Sequence, residues 1–561
     1  MAGAERGTQM DSKRGFSRRR FLGGVALLGF TPLYSQLAVV PGLDPDRQWT
    51  GDNFEEAHGA LRNPYAMLRH YTERIDHPGP GAAPYDVVVV GGGIAGLTVA
   101  YKLRERNVVL LEREKETGGV SKSENWNGIE YSIGAAYMVN PKPDPEDTDS
   151  RDAQNLALLN ELGLYKEARI AQGDENHCVF TNQRIVPHEE IYSEENVGFF
   201  EHVLNHDNFP AMPPEDPGLV QKLDRVSFKR FLQEPQLQEE VYGRKVGAIS
   251  QNGWEAIEYY FWGAFGTNSW ETSAYHGLNF FAPEFEDILI FPGGNAYIAK
   301  RLTRRIHEHN RDILQTGSYV LQIDPGEDET WTVLVYRQGA IHRYRTRTVV
   351  FSSPVFLAKR MIPTLPADQR RVIESLDYRS YVVGNVLLRR RLDVLFEEPA
   401  MQRGYELTRI HELNPDRYLP DQLSNRGVYS DIVVADFAVQ RAPQYGVLTV
   451  YRPFPYSHGR DRLRYLTYDN VEKEIRAAVL DGFSHHGLRE SDIEGIRLTR
   501  WGHPMIIPRP GQMADGTLEL VRRPMRNTLY FAHTDIQGAP AIENALASAF
   551  DAVGAVENRL G

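Results

Sequence analysis

The chain has 561 residues, a formal net charge of −12 at neutral pH, 41% hydrophobic and 25% charged residues. That balance describes a globular protein large enough for two or three domains, and its acidity argues against nucleic-acid binding, which leaves a basic footprint. The single cysteine, Cys178, excludes intrachain disulfides, CxxCH haem attachment and multi-cysteine metal sites; no metal site is expected, although 17 histidines leave a histidine-held haem open.

Residues 1–40 read as an export leader. Arg18, Arg19 and Arg20 precede Phe21 and Leu22, and no charged residue occurs from Phe21 to Leu43, a basic region followed by an apolar one. Ser17–Leu22, "SRRRFL", resembles the bacterial twin-arginine signal. The resemblance implies the twin-arginine translocase as partner and a periplasmic or secreted destination. Gly23, Gly24, Gly29, Pro32 and Pro41 interrupt the apolar stretch, and no clean A-x-A cleavage site follows it, so retention as a membrane anchor stays open. Residues 41–84 are polar and turn-rich and read as an extension.

"YDVVVV" at 85–90 is a buried parallel strand by its β-branched run, "IAGLTVAYKLRER" after it has helical spacing, and "NVVLLE" is a second buried strand. This βαβ unit opens a nucleotide domain over 85–150. Residues 151–285 are helix-rich and read as the first piece of a substrate domain. The nucleotide domain resumes over 286–360 with "FPGGNAYIAKRL", "YVLQID", "WTVLVYR" and "TVVFSS", the substrate domain over 361–490, and the nucleotide domain again over 491–561, ending in strand, loop and long helix. The fold class is therefore α/β, a Rossmann-type three-layer domain with an inserted mixed α+β substrate domain.

The turn between the first strand and helix is Gly91-Gly92-Gly93-Ile94-Ala95-Gly96, a G-x-G-x-x-G. Gly91 permits the tight turn, Gly93 lets the backbone approach a pyrophosphate, and Gly96 lets helix pack on strand; the helix start at Ile94 and Ala95 offers N–H groups to phosphate. Glu112 ends the second strand, where a carboxylate accepts from ribose hydroxyls and disfavours a 2′-phosphate, and Arg113 follows it. Gly118-Gly119 come next, with Tyr131 and Tyr137 in the segment beyond as weaker pocket candidates.

Three segments together resemble the flavin amine oxidase superfamily: Gly118-Gly119 after the ribose acid, "FPGGNAYIAKRL" followed by "TGSYVLQI", and "LYFAHTDIQGAPAIENALASAF". The resemblance implies FAD, main chain near Val320 beside the adenine, Asp535 as acid on the ribityl or pyrophosphate portion, and the helix beginning near Pro540 and Ala541 pointing at the flavin. Where this family commonly has A-G-D or A-G-E, the chain has Ala532-His533-Thr534-Asp535, which leaves the role of His533 open. Non-covalent FAD is expected, because Cys178 is remote in sequence from the flavin segment. "TGDNFEEAHGALRN", "FPGGNA" and "FAHTD" further resemble bacterial spermidine dehydrogenases, which are exported polyamine-oxidising flavoproteins.

Flavin-dependent amine oxidation needs positioning and a dry pocket more than a strong base. "RWGHPMIIPRPG" at 500–511 resembles the superfamily stretch that passes one face of the flavin, which implies Trp501 as pocket wall and His503 as the group taking a proton from a substrate ammonium. The expected substrate is a small molecule, with a cationic amine as candidate, and the electron acceptor a quinone, a cytochrome or oxygen. Two alternatives are a carotenoid-desaturase-like flavoprotein acting on C–C bonds and a non-catalytic exported electron-transfer flavoprotein. In many superfamily oxidases a lysine in a strand resembling "G-x-V-I-K" helps reduced flavin meet oxygen. Its expected counterpart in "GNVLL" is Leu388, with Lys359 and Lys300 read as solvated helix lysines.

Overall fold

The computed structural model describes residues 48–561 apart from 53–67, 72–73, 80, 144, 172–176, 182–183, 188–189, 213, 392–405, 410–428, 440–443 and 455–458. The leader over residues 1–40, with Arg18 and Arg19, and the first residues of the extension lie outside the described residues. Among the described residues no helix is long and apolar enough to cross a membrane, and no group of His, Cys, Asp or Glu is arranged to hold a metal ion.

Two eight-stranded sheets organise the chain. The first is built on Tyr85–Val90, which pairs in parallel with Val108–Leu111 on one side and Ala340–Phe351 on the other; Leu314–Gln315 and Leu529–Phe531 extend the parallel core outward. The valine run alternates across the sheet. Val87 and Val89 pack into the core beneath helices Ile94–Lys102, Ala296–His309 and Ile542–Leu560, whereas Val88 and Val90 enter the core on the opposite face. A sheet buried on both faces explains why this strand is apolar without polar alternation.

The second sheet runs in the order Thr50–Gly51, Ile493–Ile506, Tyr378–Leu388, Gly446–Phe454, Asp431–Val434, Glu406–Arg409, His177–Thr181 and Arg184–Pro187. Along Tyr378–Leu388 the two faces separate cleanly. Val382, Val386 and Leu388 join the core under helix Tyr468–Phe483, and a Cβ on Gly384 would touch Ile475 of that helix at 2.6 Å. Tyr381, Val383 and Leu387 face the other way, with Trp501. Cys178 stands on strand His177–Thr181, and its side chain is not among those described.

The first sheet draws strands from 74–111, 314–351 and 529–531, and the second from 50–51, 177–187, 378–454 and 493–506. Helix Arg151–Glu161 packs its Leu158 and Leu159 into the nucleotide core. Strand Ile493–Ile506 belongs to the second sheet, so the last nucleotide piece begins after it. The extension is structural: Thr50–Gly51 edges the second sheet, and Arg74–His77 pairs in parallel with Ile341–Tyr344 of the first.

Candidate functional site

A cavity of about 1230 Å³ lies between the two sheets and takes its lining from all three nucleotide pieces and from the second sheet. At one end is the glycine turn. Gly91 has φ +110°, and a Cβ there would sit 2.6 Å from the Ser352 carbonyl oxygen; on Gly96 it would sit 2.0 Å from the Gly91 carbonyl oxygen. Only glycine fits either place. Gly93 bridges to Gly118, so the two glycine signatures meet. Gly91, Gly93, Ile94, Ala95, Glu112, Arg113, Gly118, Gly119, Val320 and Ala541 all line the cavity; Gly96 does not, serving the helix–strand contact instead.

Glu112 does more than its spacing suggested. Its Oε2 accepts from the Gly92 N–H at 2.6 Å and its Oε1 from the Glu114 N–H at 2.7 Å. Burial raises its pKa, and these two N–H donors, with Lys122 and Arg113 nearby, work against that rise. The carboxylate therefore sets the shape of the turn, and each oxygen keeps a second lone pair for a ribose hydroxyl.

Two helices begin at the cavity without a side-chain cap. The N-cap of Ile94–Lys102 is Gly93 and that of Ile542–Leu560 is Ala541, so both leave N–H groups and the positive ends of their dipoles facing the space. An anionic diphosphate and an electron-rich ring system are suited to such ends.

Asp535 departs from expectation. It does not line the cavity; its neighbours His533 and Thr534 do. Its Oδ2 accepts from the Val355 N–H and the Tyr378 hydroxyl, both at 2.9 Å, and His533 Nδ1 lies 3.1 Å from Oδ1. In Ala532-His533-Thr534-Asp535 the acid points inward, where it braces the loop. The carboxylate that reaches the cavity from this segment is Glu543, in the first helical turn. It accepts from the Val139 N–H at 2.8 Å, and burial, with Asp152 and Glu284 adding to it, pushes its pKa up to about 7.

The far end is one face of the second sheet. Asp431 stands opposite Tyr451, Tyr451 opposite Val383, and Tyr381 opposite Trp501. The aromatic polar ends are tied to main chain: Tyr451 hydroxyl to Gly134 O and Trp501 Nε1 to Ile133 O, each at 2.6 Å, and Tyr381 hydroxyl to the carbonyls of Trp262 and Gly263. Tyr381, Tyr451, Trp501 and Asp431 all line the cavity, Asp431 8% exposed and accepting from the Ser430 hydroxyl at Oδ1. A Cβ on Gly263 would lie 2.5 Å from Asp431 Oδ1, so glycine makes room for it.

Residues 89–149 match the NAD(P)-binding Rossmann-like domain family. Over 547 residues the chain is 22% identical to the oxidoreductase PigB of Serratia sp. (strain ATCC 39006), covering 85% of this chain and 75% of that one. A shorter stretch of 109 residues is 33% identical to coproporphyrinogen III oxidase of Mycobacterium tuberculosis, 18% of this chain and 22% of that one. Among solved structures, a cofactor-binding variant of putrescine oxidase superposes with a TM-score of 0.61 at 15% identity, covering 87% of this chain and all of the other. Cyclohexylamine oxidase from Brevibacterium oxydans does so with a TM-score of 0.58 at 15% identity, covering 85% and 100%.

The chain has the two-domain fold of the FAD-dependent amine oxidases. FAD fits the residues present: the two touching glycine signatures leave room where a Cβ would intrude, both uncapped helix starts face the same space, and Glu112 offers the ribose acceptor. Within this amine-oxidase fold Trp501 lines the cavity. His503 lines the cavity too, its ring 4.7 Å from Phe356 and 5.9 Å from Tyr378. A bulge places it there. Tyr381 opposes Trp501 but Arg379 opposes Met505, so extra residues around Gly502–Pro504 bow toward the cavity.

Tyr137 lines the cavity, whereas Tyr131 is fully buried away from it, bonded to Glu124 and Arg497. Leu388 lies on the wrong face of its strand, 1% exposed beside helix Tyr468–Phe483. Lys300 is half-exposed and bonded to Glu130, but Lys359 lines the cavity and is no free surface lysine. Asp431, Tyr381, Tyr451, Glu543 and Asp52 went unread in the sequence. The period-2 pattern of Tyr378–Leu388 held the signal for Tyr381, and Asp52 stood inside the "TGDN" string; no local pattern marks the others.

Proposed function

We propose that the protein is an exported FAD-dependent oxidoreductase that oxidises the C–N bond of an amine, its substrate carrying a positive charge when it arrives. The observation that carries this reading is the continuity of one cavity from the glycine turn, past His503, to the ring wall of Tyr381, Tyr451 and Trp501 with Asp431 at its remote end. Ring faces and a carboxylate attract an ammonium. Bound FAD supplies the two-electron acceptor for the hydride from the carbon beside nitrogen. The chain's own residues do the rest: Trp501 and Tyr381 shape and dry the pocket, Asp431 draws and orients the cation, and His503 takes the proton that leaves the ammonium neutral.

Polyamines of the spermidine type fit a site with a carboxylate far from the flavin end, and the short strings shared with spermidine dehydrogenases agree with this. Export rests on Arg18 and Arg19. Replacing both by Lys is expected to leave flavin-loaded protein in the cytoplasm, and periplasmic double variant in a strain lacking the twin-arginine translocase would refute the leader. The reaction is tested by anaerobic titration of purified protein with mono-, di- and triamines while following flavin absorbance. Bleaching by amines is expected. Bleaching by apolar polyenes alone would point to C–C chemistry, and bleaching by neither would sink the reading.

A further inference from the structure

Thr50, Gly51 and Asp52 take no part in the proposed reaction, yet Gly51 and Asp52 line its cofactor cavity. Thr50 and Gly51 pair in parallel with Thr499 and Arg500, immediately before Trp501 and His503. The Thr50 and Thr499 hydroxyls lie 2.7 Å apart, and the Asp52 N–H donates to the Arg500 carbonyl at 2.8 Å. Gly51 has φ +83°, and a Cβ there would lie 2.5 Å from that same carbonyl oxygen, so the close approach demands glycine. Trp49 anchors the segment by edge contact with Tyr468 and by lying under the Arg500 guanidinium.

Asp52 then leaves the sheet edge and enters the cavity. Its Oδ2 accepts from the Gly502 N–H at 2.8 Å. Burial raises its pKa; the Gly502 N–H, Arg113 from the nucleotide domain and Arg460 from the substrate domain work against that rise, and Glu114 adds to it. A buried acid beside an anionic diphosphate is unfavourable unless it organises cations or accepts hydroxyl donors. Here both arginines line the same cavity, so the carboxylate stands where the two domains and the cofactor space converge.

We propose that Thr50–Asp52 is a clasp on the dinucleotide, with Asp52 a cofactor-site residue that ties Gly502 to a space lined by Arg113 of one domain and Arg460 of the other; this rests on FAD being the bound dinucleotide. The clasp explains the TGD of the "TGDN" string: threonine and glycine make the ladder, and aspartate makes the contact.

The test is FAD release from the full-length flavoprotein, followed as free-flavin fluorescence after dilution, together with the melting temperatures of holo- and apoprotein. Asp52→Ala and Gly51→Ala are each expected to speed release about 10-fold or more. They should also shrink the gap between holo and apo melting temperatures. Asp52→Asn keeps an acceptor for the Gly502 N–H and loses the charge, so it should fall between wild type and Asp52→Ala. Asp52→Asn and Gly51→Ala releasing FAD within twofold of wild type, or holo and apo melting temperatures falling by equal amounts, would overturn the clasp. Wild-type protein purified without flavin would instead overturn the cofactor reading beneath it.

Discussion

The Tyr378 hydroxyl donates to Asp535 Oδ2 at 2.9 Å, which joins the first residue of a substrate-sheet strand to the flavin segment of the nucleotide domain. Burial works to raise the Asp535 pKa, and His533, the Val355 N–H and Tyr378 together outweigh it and hold the carboxyl below its usual range. A depressed carboxyl contributes stability that is present above the unfolded value near 4 and is lost as pH falls through the lower folded value. Asp535→Asn is therefore expected to cost about 3 kcal/mol at neutral pH and to flatten the acid-side decline. Melting temperature against pH, from neutrality down to the acid limit of the fold, checks both.

Glu543 has the opposite sign. Its folded pKa, raised to about 7 from 4.5 by burial, means that the folded chain holds a proton which the unfolded chain has released, so its contribution falls as pH rises between those values. Glu543→Gln is expected to remove that fall and to stabilise the protein at pH 7.5 by something on the order of 2 kcal/mol. A melting profile whose slope between pH 4.5 and 7 is the same in variant and wild type would contradict the assignment.

Glu112 reads as a ribose acid because it ends a strand at the right distance from the glycines, and Gly91 and Gly96 stand out because only glycine fits those two places. What its spacing could not reveal is that Gly92 and Glu114 N–H groups occupy both oxygens. This makes Glu112→Gln a sharp experiment. A glutamine has one carbonyl oxygen, so one backbone donor would face its NH₂ group. FAD affinity is expected to fall about 100-fold in Glu112→Gln as well as in Glu112→Ala, by fluorescence titration of apoprotein. A near-normal Glu112→Gln would reduce Glu112 to a ribose contact.

Long-range pairing hid the rest of the site. Asp431, Tyr451, Val383, Tyr381 and Trp501 come from four strands and become one surface only through cross-strand register. Asp535 misled for a local reason: its neighbours His533 and Thr534 line the cavity, but its own carboxylate is spent on the Val355 N–H and the Tyr378 hydroxyl.

Asp431→Asn tests that surface. Loss of the charge with shape retained is expected to raise the apparent dissociation constant for a cationic amine about 10- to 100-fold. The limiting rate of flavin reduction should stay within a few-fold, because Asp431 stands away from His503. Stopped-flow reduction under nitrogen separates the two quantities, and a variant defective only in the limiting rate would move Asp431 into the chemistry.

Reoxidation is the remaining question, and the strand Tyr378–Leu388 bears on it. Its cavity face presents Tyr381 and Val383, not Leu388, and the strand contains no lysine on either face. A phenol tied to carbonyls and an isopropyl group offer no positive charge to a forming superoxide. Lys122, Lys142 and Lys359 line the cavity from other elements. Lys142 is ion-paired with Glu286, and Lys122 belongs to the loop beyond Gly118-Gly119, beside the ribose acid. Lys359 follows the Ser352–Pro354 turn that closes over Gly91. Two of the three thus belong to the nucleotide end, and the third has its own carboxylate. Reduced enzyme mixed with air-saturated buffer is expected to reoxidise well below the rate of turnover, and an artificial quinone to restore oxidised flavin within a turnover. Val383→Lys, which puts an ammonium on the cavity face, should raise the oxygen rate about 10-fold or more. Oxygen reoxidation of the wild type at the rate of turnover would make the protein an oxidase and leave that strand without a part in its choice of acceptor.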